Sequence, residues 1–413
     1  MKFLFLCHNH PGYGTFFRAF QLGRHLVRSG HRVVLMLVSR ERSWRWRRYG
    51  REGVWIVECP NFQPFIPDKE DGWGPLDILL RCAYGLAHGF DAVVGFGHKP
   101  DIAIPALLLR YLKRVPFIAD WCDLWGDGGI FSVRGILGHG RRGGALDRFA
   151  VRAETFLERA VVRLADGVTV ICTRLEKMAR ERRAARGRVL LLRSGCDIEG
   201  IRPMDAAAAR RALGLPGGTI LEYMGNYLQE ALLLSRAFER LAPLLDDARL
   251  LIVGPRLTDI PEAEASRLGA GLRHLRALSL RMGGRVIWAG RRRYDEIPVF
   301  LAAADLLLLP MEESELERGR WPNKVCDYLA AGRPIAATDV GDVGAAVREK
   351  ECGIVSMPDA EDYCRAVMAA LSDRALLDRL GANARRLAEG EMSWGSIASR
   401  FLDFVLELRR AGA

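Results

Sequence analysis

Short runs of consecutive apolar residues recur along this chain, set apart by longer stretches in which apolar positions repeat at helical spacing. A run of roughly four to eight apolar residues between turn residues suits a strand covered on both faces. In the first half such runs predict strands over 2–7, 32–38, 54–58, 92–95, 117–120, 167–171 and 189–192, with a helix over 15–29. The second half starts the pattern afresh, with strands over 220–224, 249–253, 286–288, 306–309, 335–337 and 353–356. Strands alternating with helices signal parallel sheets joined by crossover helices. Two such series predict an α/β chain of two Rossmann-like, doubly wound domains, 1–197 and 198–392, with a ligand cleft between them. The join falls in SGCDIEGIRPMD, 194–205, where Gly, Pro and acidic residues break the periodicity. A last periodic stretch, 393–410, has no strand after it and reads as a terminal helix.

Composition narrows the function classes. A chain of 413 residues is too long for one ordinary core, and 49% hydrophobic with 27% charged residues is globular composition. No stretch approaches the roughly 20 uninterrupted apolar residues that cross a bilayer. The opening MKFLFLC runs straight into a polar, Gly-containing loop and reads as a strand rather than a signal peptide. Nine cysteines without a CxxC pair point to reduced thiols in the cytoplasm and supply no metal motif. The formal net charge of +11 favours an anionic partner: nucleic acid, an acidic membrane face or a phosphorylated substrate. No nucleic-acid reader motif accompanies it, which disfavours the first.

Candidate chemistry is densest in WPNKVCDYLAAGRPIAATDVGDVG, 321–344, after the apolar run ADLLLLP. Pro322 and Asn323 can open a helix whose N–H groups and dipole favour a phosphate, with Lys324 adding positive charge. Asp327, one turn in, can accept hydrogen bonds from ribose hydroxyls. The loop 341–344, with Gly341 and Val343, offers a second set of backbone N–H groups. The same pattern also suits an ordinary capped helix with a salt-bridged Asp. Gly12 and Gly14 link the first strand to its helix, where glycines let the backbone approach the donor's phosphate or sugar or simply make a tight turn; Phe17 stands where a dinucleotide fingerprint has its third glycine. PFIADWCDLWGDGG, 116–129, brings Asp120, Asp123 and Asp127 to the end of a predicted strand, and His98 ends another. RERSWRWRRYGR, 40–51, interleaves arginines, Arg45 and Arg47 among them, with Trp44 and Trp46. Such a stretch suits an anionic membrane interface, or a solvated basic helix with cation–π packing.

At Pro322, Lys324, Tyr328, Ala330, Gly332 and Pro334 the sequence resembles family-four retaining glycosyltransferases of the GT-B fold, with Asp327 at the family's usual Glu. The likeness extends to ADGVTVICTRLEKM, to Ser194-Gly195-Cys196-Asp197, to GRVIWAGRRRYDEIPVFLAAADLLLLP and to Ser393-Trp394, where the terminal helix 393–413 would complete the N-terminal domain. The resemblance implies transfer of a sugar from a nucleotide diphosphate sugar, UDP- or GDP-linked, to an acceptor hydroxyl, with retention, no metal and no further cofactor. It makes Asp327 a ribose ligand and Gly225, Asn226, Asn323 and Lys324 donor-side residues. Asp123 and His98 become the catalytic candidates, and the acceptor becomes a lipid-linked or cell-surface glycan precursor at the inner membrane face. Two departures stand out. Gly319 occupies the position of a commonly paired carboxylate, with Glu312, Glu313, Glu315 and Glu317 earlier; and 224–230 lacks the Arg and Lys that commonly hold the diphosphate. Lys324 or an arginine of 291–293 is the expected substitute. An epimerase or hydrolase on this fold, or a non-catalytic nucleotide-sugar binder, would share these features.

Overall fold

A computed structural model of the chain describes residues 1–41, 44–61, 72–126, 128–130, 145–182, 188–265 and 268–411. These divide into two compact units, Met1–Gly195 with Trp394–Ala413, and Cys196–Ser393. The first holds, among the described residues, an eight-stranded sheet: β1 (Lys2–Cys7), β2 (Arg32–Val38), β3 (Arg47–Arg51), β4 (Val54–Cys59), β5 (Ala92–Phe96), β6 (Phe117–Trp121), β7 (Gly167–Val170) and β8 (Val189–Leu191). Their order is β3-β4-β2-β1-β5-β6-β7-β8, parallel except where β3 runs antiparallel to β4. The chain therefore winds outward from β1 in one direction, then starts again from β5 beside it, with Phe3 opposite Ala92. Loops diverge at such a switch point, and the crevice they leave at the carboxyl ends of the strands is the usual ligand site of this architecture.

The strands are apolar because both faces are covered: Phe3, Phe5, Phe96 and Ile118 are fully buried. The terminal helix Trp394–Arg410 lays Trp394, Ile397, Phe401 and Val405 into this core. A Cβ on Gly167 would stand 2.5 Å from Leu408 and 2.9 Å from Phe404, so the helix packs directly on the sheet at that glycine.

The basic segment 40–51 departs from a helix. Arg47–Arg51 forms the antiparallel edge strand, joined to β4 by a two-residue turn in which Glu52 (φ 47°) and Gly53 (φ 80°) both adopt left-handed backbone, the geometry that matches strand twist. Residues 42–43 lie outside the described residues.

The second unit holds six parallel strands among the described residues: β9 (Ile220–Met224), β10 (Arg249–Val253), β11 (Val286–Trp288), β12 (Leu306–Leu309), β13 (Ile335–Thr338) and β14 (Gly353–Ser356). Their order, β11-β10-β9-β12-β13-β14, is the Rossmann order, with its switch point between β9 and β12. Among the described residues no helix is long and apolar enough to cross a membrane.

Candidate functional site

The helix Asn323–Ala331 is fixed at the second unit's switch point. The Tyr328 hydroxyl accepts from the Met224 amide at 2.9 Å and donates to the Leu308 carbonyl at 3.4 Å, tying the helix to the ends of β9 and β12. At the other end Arg385 donates to the carbonyls of Ala330 (2.6 Å) and Ile201 (2.9 Å), closing off the last turn. Pro322 precedes the first turn without a side-chain cap, so the leading N–H groups are left for another acceptor.

Beside that end sits a buried charge cluster. Lys324 Nζ lies 3.1 Å from Glu230 Oε2, 3.0 Å from the Tyr223 hydroxyl and 4.2 Å over the Tyr223 ring. Arg320 pairs with the other oxygen of Glu230, and its Nε lies 3.1 Å from Glu317 Oε2. The side chains of Arg320 and Lys324 are each 12% exposed and that of Glu230 1%, so both cations are presented on a buried carboxylate. Burial pushes the Glu230 carboxyl up, but Lys324 and Arg320 outweigh it and hold it down at about 2. Glu317, capped into the short helix Glu315–Arg318 by Ser314, goes the other way: burial, against the pull of Arg320, raises it to about 7. Burial likewise lowers the Lys324 ammonium.

Asp327 faces the same side one turn on. Its Oδ1 accepts from the Tyr294 hydroxyl at 3.3 Å, and burial, with the nearby Asp197 carboxylate, raises it to about 7. Tyr294 follows the arginines 291–293, and a cavity of about 500 Å³ at the ends of β10 and β11 is lined by Arg256, Asp259, Gly290, Arg291 and Arg292. Arg293 turns away to Asp295. Gly225 and Asn226 lie in the loop after β9; a Cβ on Gly225 would come within 2.8 Å of the Tyr223 hydroxyl. Asn323 is exposed at the helix start, and Gly341 is exposed at the start of the helix Gly341–Glu349 while the Val343 side chain is fully buried, leaving only its backbone to a ligand.

In the first unit, Asn9 Oδ1 accepts from the Thr15 amide (2.9 Å) and hydroxyl (2.6 Å), which ties down the loop of Gly12 and Gly14. A Cβ on Gly14 would meet Asn9 Oδ1 at 2.7 Å, whereas Gly12 borders open space. Asp120 is taken up by structure: it receives Arg18 through two bonds of 2.8 Å and Thr169 at 2.6 Å. Asp123 is half-buried two residues past β6, and Asp127 lies outside the described residues. His98 is buried, with Nε2 2.6 Å from Glu154 Oε2. Trp44 is 63% exposed and Arg45 and Arg47 are exposed, while Trp46 lies 6.3 Å from the Tyr84 ring with Arg48 over both.

The sequence reading missed Glu230, Arg320, Tyr223 and Glu154. Only Arg320 had a local signal, four residues before Lys324; the others are distant in the chain. Among the described residues no group of three or more His, Cys, Asp or Glu side chains could hold a metal ion.

Comparison with known proteins completes the picture. Residues 219–373 match the family described as glycosyl transferases group 1, and residues 14–195 match the glycosyl transferase 4-like domain. A D-inositol 3-phosphate glycosyltransferase of Streptomyces bingchenggensis is 28% identical over 231 residues, 54% of this chain and 48% of the relative. The chain thus spans about half the length of the curated relatives it matches. Sucrose-phosphate synthase from Thermosynechococcus elongatus superposes with a TM-score of 0.75 at 19% identity, covering 99% of each chain. The Anabaena protein HepE, solved with UDP and glucose, superposes at 0.68 and 15% identity, covering 98% of this chain and 99% of its own.

Proposed function

Because this chain belongs to the glycosyl transferases of group 1 and has their two-domain GT-B fold, we propose that it moves a sugar from a nucleoside diphosphate sugar to an acceptor hydroxyl. The observation that carries this reading is the pairing of Arg320 and Lys324 at an open helix N-terminus, with a carboxylate one turn further on. The diphosphate lies against the two cations and the helix N–H groups, and Asp327 takes the ribose hydroxyls. In transfer, the anomeric carbon exchanges its bond to the β-phosphate oxygen for one to the acceptor oxygen, and the proton of the acceptor hydroxyl passes to the released diphosphate. Negative charge grows on the departing diphosphate, and preorganised cations in a water-poor site stabilise that charge more than the ground state. Arg320 and Lys324 supply the charge that the loop 224–230 lacks, and Glu317 is the buried carboxylate nearest the position of Gly319 in sequence.

UDP is the first donor nucleotide to try, since a structural neighbour was solved with it. Retention and independence from metal follow the family resemblance. The acceptor belongs to the first unit, and the exposed arginines of its edge strand, with Trp44 just before them, suit a lipid-linked acceptor at an anionic membrane face. Incubation with UDP-glucose and GDP-mannose, with and without a polyol panel, tests the reaction. Nucleotide release that depends on a polyol and yields a glycoside supports transfer. Release of free sugar at the same rate without a polyol makes the protein a hydrolase instead.

A further inference from the structure

The charge cluster beside the helix Asn323–Ala331 holds one carboxyl more than its cations need. Glu230 takes both of them: Lys324 Nζ lies 3.1 Å from its Oε2, and Arg320 pairs with its Oε1. Glu317 is the further carboxyl. Its side chain is 8% exposed, and the short helix Glu315–Arg318 fixes its place, with the Ser314 hydroxyl accepting from the Glu317 amide at 3.1 Å. Glu317 Oε2 stands 3.1 Å from Arg320 Nε but completes no hydrogen bond among the described residues, so the contact between them is one of charge alone.

With both carboxyls ionised, Arg320 and Lys324 meet Glu230 and Glu317 and the cluster is neutral, a poor seat for an anion. With Glu317 protonated the cluster carries one positive charge. Around Glu317, Glu230 at the start of the helix Ala231–Leu241 and Glu312 after β12 oppose ionisation, while Arg320 and Lys324 favour it. The Tyr223 hydroxyl of β9 is spent on Glu230, and the neighbouring helix Gly341–Glu349 brings one more buried acid, Asp342. Burial, against the pull of Arg320, raises the Glu317 carboxyl to about 7, whereas Glu230 is held at about 2 and keeps its charge throughout the neutral range.

We infer that Glu317 takes up a proton from solvent as the diphosphate of a sugar nucleotide settles on Arg320 and Lys324, an inference that rests on the donor reading of these cations. Donor binding is then proton-linked, and Glu317 sets its pH dependence. The physical reason is competition. An ionised Glu317 and the diphosphate draw on the same guanidinium and repel each other in a site poor in water, and protonation removes both penalties. The neutral carboxyl also gains an O–H donor, which an anion accepts.

The test is titration calorimetry of the full chain with UDP-glucose and GDP-mannose at pH ~8, in two buffers of different ionisation enthalpy, which reads the protons bound per donor. Both phosphates of these ligands are diesters, so the ligand itself changes no charge near neutrality. Asp327, also raised to about 7, is already ionised at pH ~8 and contributes little there. The expected result, for the donor that binds, is uptake of about one proton by the wild type and none by Glu317→Gln, which fixes the neutral form. The affinity of Glu317→Gln relative to wild type should rise about tenfold between pH ~7 and ~8.5, because only the wild type must pay for the proton. Binding without proton uptake by the wild type overturns the proposal, and needs no variant to fold. Uptake that survives Glu317→Gln belongs to another group, such as Lys324, and overturns it as well. Failure of both donors to bind overturns the donor reading itself and the linkage with it, so the two are told apart by whether heat of binding is seen at all.

Discussion

At the residue scale, the informative groups are carboxyls whose environments push them in opposite directions. Glu230 is held down by two cations, while Asp327 and Glu317 are raised to about 7, chiefly by burial. A carboxyl raised on folding stabilises the fold most at low pH, and that contribution is lost as pH climbs from the ordinary carboxylate range through about 7. Thermal midpoints of the ligand-free wild type should therefore fall between pH ~5 and ~8 more steeply than those of Asp327→Asn. Parallel curves would show that Asp327 is not raised. Glu230→Gln removes the shared counter-ion of Arg320 and Lys324 and should cost about 3–5 kcal/mol, the usual effect of leaving buried charge uncompensated. UDP should then raise its melting temperature more than it raises that of the wild type, because the diphosphate replaces the lost carboxylate. An equal rise in both proteins would place the diphosphate elsewhere.

At the element scale, the strands legible in the sequence were the apolar runs, whether buried throughout as β5, β6 and β12 are or only in part as β8, β11 and β14 are. The exception was β3: an edge strand with one inward residue, Tyr49, bonded to Glu58 at 2.7 Å, and arginines elsewhere reads as a charged segment. Its exposure alongside Trp44 and Trp55, 63% and 46% exposed, leads to a second test. Wild type should float with vesicles containing anionic lipid, and a Trp44→Ala, Arg47→Ala, Arg48→Ala variant should stay in the soluble fraction; equal behaviour of the two would remove the membrane role. The helix Asn323–Ala331 was legible as a candidate because Asn323, Lys324 and Asp327 lie within about one turn of each other. Its charge cluster was not, since Glu230 is 94 positions from Lys324 and only the pairing of β9 with β12 brings the two loops together. Glu154 escaped notice for the same reason, 56 positions from His98 on a helix whose pattern reads as amphipathic. The terminal helix is a structural element throughout, and Phe401→Ala, at a fully buried ring, should destabilise the first unit by about 3–5 kcal/mol in chemical denaturation.

At the scale of the whole molecule, two sheets of like topology have been fitted with different chemistry. The second unit gathers cations and a carboxylate around a helix N-terminus, an arrangement suited to an anion; the first ties the histidine beyond β5, His98, to Glu154. The net charge of +11 is consistent with an anionic donor but does not choose it. In the proposed function Lys324 and Asp327 hold the donor nucleotide. Titration calorimetry of wild type, Lys324→Ala and Asp327→Ala against UDP, GDP and ADP tests it most directly. One nucleotide should bind selectively, and both variants should lose at least tenfold in affinity, about 1.4 kcal/mol. Absence of binding to all three, or variants that bind as wild type does, would contradict it.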